Sequence, residues 1–191
     1  TRNRVIVGDG AEVTFVESLV GGSADAEINT YSAYLVGDDA KVAVARLQAT
    51  DEGATQIATN VVRLGAKTSV KHLSVEAGGG FSRNQTFVGF SGENAAADIL
   101  GVSMLNDRRH IDQTLVVDHA VPHCESREIF KTVLDDNAHG VFQGQIRVDR
   151  IAQKTDAQMA CNTLLLSDDA GFATKPELEI FADDVVCAHG A

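Results

Sequence analysis

The chain has 191 residues and sets 16 lysine and arginine side chains against 27 aspartates and glutamates, for a formal net charge of -11. That charge repels a phosphate backbone, and no basic stripe offsets it locally, which argues against nucleic acid and anionic membrane as partners. With 44% hydrophobic residues, two prolines, no tryptophan and 17 glycines, a folded, turn-rich chain of one domain or at most two is expected. No apolar run approaches the roughly 20 residues that span a bilayer, and the opening TRNRVIVGDG lacks a signal-peptide core. A cytoplasmic location is the expectation.

In chain order, RVIVGDGAEVTFVES sets two alternating runs around Gly8-Asp9-Gly10, which is turn chemistry between strands. Residues 31 to 49, YSAYLVGDDAKVAVARLQA, repeat that plan around Gly37-Asp38-Asp39. The next stretch, ATDEGATQIATNVVRL, has a helix-like start at Thr50, but Gly53 and the β-branched Thr59, Val61 and Val62 oppose a helix. Strand-like runs follow: TSVKHLSVEA, QTFVGFS, ILGVSML, QTLVVDHAV, REIFKTVLD, GVFQGQIRVDRIA, NTLLLSDDA and ELEIFADDVV. AQMACN, 157 to 162, is too short to count as a helix. The chain is read as all-β.

Alternation with turn signals every 8 to 12 residues or so suits a sandwich, a barrel or a solenoid. The later runs LVVDHA, IRVDRIA, LLLSDDA and IFADDVV each end in a small or acidic corner, and such loose self-similarity is the mark of a solenoid. At roughly 20 to 25 residues per coil, eight or nine coils are expected.

Cys124, Cys161 and Cys187 are odd in number and far apart, which disfavours a disulfide framework. His119, His123 and Cys124 suggest a metal site by spacing, but two histidines four apart share a face only on a helix, and Pro122 opposes one. The pairs Asp38-Asp39, Asp135-Asp136, Asp168-Asp169 and Asp183-Asp184 could serve a polysaccharide-cleaving β-helix as acid and base. They are more simply solvated corners. Gly78-Gly79-Gly80 lacks the phosphate-loop lysine pattern. Cys187 and His189, two apart near the end in ADDVVCAHGA, share a strand face and could present a thiolate and an imidazole to one ligand.

The stretch 139 to 191, with RHIDQTLVVDHAVPHCESREIFKTVLDD and GGGFSRNQTFVGFSGENA before it, resembles the core domain of the SufB/SufD family of iron-sulfur cluster assembly scaffolds. TKPELEIFADDVVCAHGA places it nearer the SufD branch. The resemblance implies a right-handed parallel β-helix of flattened two-sheet coils, a single core domain over 1–191, with the family's N-terminal and C-terminal helical regions absent. It implies a non-enzymatic scaffold subunit that pairs with a SufB-like paralogue. A separate SufC-like ATPase would bind through a segment beyond Ala191, so the chain itself should neither hydrolyse ATP nor bind SufC tightly.

By the same resemblance His189 is the candidate iron ligand, holding a transient iron-sulfur cluster at the SufB interface. Cys187 is a weaker cofactor-binding candidate. Cys161 matches a Cys-x-x-Leu-Leu setting that is functional in SufB-like members, yet is read as a packed thiol. No cofactor is expected in the isolated chain, and open solenoid ends invite a homodimer. A carbohydrate-active β-helix enzyme and a purely structural solenoid are the alternatives; with only Tyr31 and Tyr34 and no tryptophan, the first lacks sugar-stacking platforms.

Overall fold

The computed structural model describes residues 1–190 as strands and turns, with no helix among those residues. One sheet, the odd sheet, holds β1 (Arg2–Val7), β3 (Glu27–Val36), β5 (Thr55–Leu64), β7 (Phe81–Phe90), β9 (His110–His119), β11 (His139–Val148) and β13 (Gly171–Ile180). The even sheet holds β2 (Glu12–Gly21), β4 (Lys41–Thr50), β6 (Ser69–Glu76), β8 (Ala96–Leu105), β10 (Glu125–Leu134), β12 (Asp156–Leu165) and β14 (Val186–Gly190). All neighbours are parallel, and the chain alternates between sheets, so each pair of strands forms one coil of a flattened β-solenoid.

The coils are longer and fewer than expected. There are seven strands in each sheet, and equivalent residues lie 26 positions apart at Thr59 and Gln85 and 32 apart at Gln143 and Lys175. The physical reason is strand length: most strands run ten residues, and two of them plus two corners exceed the shorter coil assumed from sequence. The Gly8-Asp9-Gly10 turn joins two strands as expected, and it is a corner between the sheets, since β1 pairs with β3 and β2 with β4. AQMACN lies inside β12. The acidic pairs at 38–39, 135–136, 168–169 and 183–184 do lie in corners between strands.

Corner chemistry explains how the coils stack. At the first six passages from the odd to the even sheet one residue takes a left-handed backbone: Gly10, Asp39, Lys67, Asn94, His123 and Lys154, with φ between 55° and 67°. The amide of Asp39 donates to the Ala66 carbonyl at 2.8 Å, that of Lys67 to Glu93 at 2.8 Å, and that of Lys154 to Asp184 at 2.7 Å. With Gly10 donating to Asp38 and His123 to Gln153, these left-handed residues turn their N–H along the solenoid axis to the next coil. Asp38 adds a side-chain rung, its Oδ1 accepting from the Ala66 amide at 2.7 Å.

The interior between the sheets is divided lengthwise. Beside the left-handed corner runs an apolar column, in which Val7, Val36, Leu64, Phe90, His119 and Val148 stack in register, with His119 lying on the Phe90 ring at 4.4 Å. Burying each large aliphatic there contributes roughly 1.5–3 kcal/mol. Beside the opposite corner the middle coils bury polar groups: Arg46 paired with Glu17 at 2.7 Å, and Asn60 donating to Asn84, which donates to Glu76. Later coils fill that column with Leu105, Ile111, Leu134 and Ala138. Position 101 faces inward by strand alternation and is a glycine because a Cβ there would lie 2.4 Å from the Phe130 ring on the neighbouring strand.

Candidate functional site

The site begins with how β14 is held. The Val186 amide donates to the Thr155 carbonyl at 2.9 Å, and the Asp184 amide to the Gln153 side chain at 2.9 Å; Lys154 forms an ion pair with Asp184. These contacts fix β14 in register on β12, with Cys187 opposite Ala157 and His189 opposite Met159. Ala157 and Met159 are buried, so Cys187 and His189 occupy the inward-facing rows of the solenoid. On β14 Cys187 is half-buried and His189 exposed.

Burial pushes the Cys187 thiol above its ordinary pKa; a backbone hydrogen bond from Ala157 lowers it, and Asp156 and Glu128 raise it further. A neutral thiol can bind a metal ion only by losing its proton, since the thiolate is the ligand.

Cys161 is a different kind of thiol. It faces inward from β12, 3% exposed, in register with Phe130, and burial raises its pKa while a hydrogen bond with Thr174 opposes that rise. The structure brings Cys187 and His189 to one face and places Cys161 within the packed core behind them. Among the described residues no three His, Cys, Asp or Glu side chains converge closely enough to hold a metal. His119, His123 and Cys124 diverge: His119 contacts Ser126 at 2.9 Å inside, Cys124 is buried in the apolar column, and His123 is the exposed left-handed corner.

Glu128 escaped the sequence reading. Its carboxyl is fully buried on β10 in the row that continues through Met159 to His189, and neither oxygen has a hydrogen-bond partner at good geometry. Burial raises its pKa to about 7, partly opposed by the nearby Ser126 hydroxyl and Arg127. The signal was present in SREIFKT, where Ser126, Glu128 and Phe130 share a face, but only the observed register shows that face to be the inner one.

The whole chain, residues 1–191, matches the family model described as SUF system FeS cluster assembly, SufBD core domain. It is 32% identical to the iron-sulfur cluster assembly protein SufD of Escherichia coli, over 100% of this chain and 45% of that protein. It is 31% identical to an iron-sulfur cluster assembly SufBD family protein of Synechocystis, over 98% of this chain and 43% of the relative. For a chloroplastic protein of Arabidopsis thaliana the identity is 30%, over 98% and 40%. The chain thus spans less than half the length of these relatives.

Proposed function

The chain belongs to the SufBD core-domain family of the SUF iron-sulfur assembly system, and from that premise we propose that it is the core of a SufD-like scaffold subunit, acting in the cytoplasm without catalysing a reaction itself. Its 191 residues serve as a single β-helix domain. Its partners are a SufB-like paralogue, met at the open end that carries β14, and a SufC-like ATPase bound through sequence outside these residues. The iron-sulfur cluster is cargo, held briefly and passed on.

The observation that carries this reading is the placement of Cys187 and His189. They sit on inner-face rows, Cys187 half-buried and His189 exposed, on a strand pinned by Thr155, Gln153 and Lys154. Imidazole and thiolate are both competent iron ligands, and a mixed, open set releases a cluster more readily than four enclosed thiolates. A SufB-like partner docking on this end supplies the remaining ligands. His189 is the principal one from this chain, and Cys187 assists. Cys161 is too enclosed to reach a cluster without local opening.

The test is His189→Ala in the full-length protein, scored by rescue of a strain lacking the subunit under iron limitation, with complex yield measured in parallel. Cluster content should fall at least about tenfold, since even outer partners of metal ligands are worth 10–100-fold, while complex yield stays near wild type. Full rescue would sink the ligand role, and loss of the complex would make His189 structural.

A further inference from the structure

Among the described residues Arg46 is the only lysine or arginine buried in the solenoid, 3% exposed. It stands between two carboxyls. Glu17, in register with it on β2, accepts a hydrogen bond from Arg46 Nε on Oε2 at 2.7 Å, and its side chain is 24% exposed. On the other side Ser74 is in register with Arg46, and Glu76, two residues on along β6, faces the same interior. A diagonal neighbour of that kind lies about 7–8 Å away, within reach of a long side chain. Glu76 Oε1 accepts from Asn84 at 3.1 Å, while Oε2 and Arg46 Nη1 are both buried without a hydrogen-bond partner among the described residues. One interior thus holds an unused charged donor and an unused carboxyl oxygen, and leaving such groups unpaired is costly.

We propose that Arg46 is a two-position switch: it holds Glu17 while Glu76 is protonated, turns to Glu76 when that proton leaves to solvent, and so loosens β2 from β4. The two carboxylates compete unequally. Glu17, once released, is hydrated at the surface, whereas a Glu76 carboxylate, 2% exposed, is shielded from solvent and must be matched by charge from the protein. Attraction between opposite charges is also stronger where the dielectric is lower. Burial raises Glu76 to about 7, with Arg46 drawing it down, so the changeover falls near neutral pH.

No other group facing Arg46 changes charge over that range. Burial holds His72, on β6, down at about 4 and Tyr34, on β3, above its ordinary 10, and the inward side chains of β5, β7 and β8 are uncharged. The switch acts on a strand with a single ladder: β2 pairs only with β4 in the even sheet, at the end of the solenoid opposite β14. Val13, Phe15 and Leu19 are only partly buried, so packing holds β2 less firmly than the strands behind it.

Hydrogen exchange of the complete protein tests this, followed on peptides spanning Glu12–Gly21 and corrected for the intrinsic pH dependence of exchange. Protection of β2 should fall about three- to tenfold between pH 6 and pH 8.5, the worth of one charge-assisted hydrogen bond partly open to solvent. Glu76→Gln, of the same shape and without a charge to gain, should hold protection constant. Coupling of this kind is reciprocal, so Glu17→Gln should ease ionisation of Glu76 by the same factor, lowering its midpoint by about half to one pH unit. Carbon-13 NMR of the glutamate carboxyls reads that midpoint, the Glu76 signal being the one that Glu76→Gln removes. Protection of β2 that ignores pH in the unaltered protein overturns the switch. So does an equal loss of protection in Glu76→Gln, and so does an unmoved Glu76 midpoint in Glu17→Gln.

Discussion

Glu128 and Glu76 are carboxyls that the fold keeps protonated up to about pH 7. Burial is the leading cause for both, raising each from 4.5 to about 7, with Arg46 easing Glu76. Below pH 4.5 both folded and unfolded chains carry the proton and these groups cost nothing. As pH climbs toward 7 the unfolded chain ionises first, so stability falls across that window. His72 and His119 act in the opposite sense: burial lowers each from 6.5 to about 4, so their stabilising neutrality is complete above 6.5 and lost as pH falls through 4. Replacing Glu128 by Gln should therefore flatten the decline between pH 4.5 and 7 and raise stability at pH 8 by about 1–3 kcal/mol. Chemical denaturation at pH 5 and pH 8 checks this, and an unchanged difference between the two would refute it.

At the scale of the element, the corners and the inward glycines carry the constraints. Lys67 holds φ at 55°, a conformation that costs a non-glycine residue roughly 1–2 kcal/mol. Lys67→Gly should leave the fold unchanged and be neutral to mildly stabilising, whereas Lys67→Val should lower the melting temperature. Gly101→Ala should destabilise by about 1–3 kcal/mol, because its new carbon meets the Phe130 ring, and adding Phe130→Leu should recover part of the loss. Thermal melts of the single and double variants decide it.

The corners also show why strand alternation was legible in the sequence and the coil was not. Val42-Ala43-Val44 or Ile146-Arg147-Val148 announce strands by themselves, but Gly8-Asp9-Gly10 has the same left-handed chemistry in a hairpin as in a corner. Only long-range pairing separates the two. The Cys187/His189 face followed from spacing of two on a strand; that it was an inner face opened at the last coil did not, because inner and outer rows of β14 look alike until β12 is beside it. Arg46, Glu76 and Glu128 were invisible as core residues for the same reason, since charged side chains at alternating positions read as solvated.

For the whole molecule the net charge of -11 is carried on a slender stack of coils, where like charges on neighbouring corners repel. Raising salt shortens the screening length to about 10 Å at 0.1 M and about 3 Å at 1 M. The melting temperature should rise with sodium chloride over that range, as scanning calorimetry would show. A flat or falling response would mean that surface pairs such as Arg83–Asp112 and Arg127–Asp156 contribute more than the repulsion costs.

Every hydrogen bond between coils lies along the solenoid axis, and the first and last strands sit at opposite ends of each sheet. A molecule pulled by its termini is thus loaded like a zipper from its ends and not like a shear joint, each ladder giving way a few bonds at a time. In an optical trap it should lengthen in small, low-force steps. Each released coil of 26 to 32 residues pays out roughly 9–11 nm of chain at about 3.4 Å per residue. The end coils, with one neighbour each, should yield first.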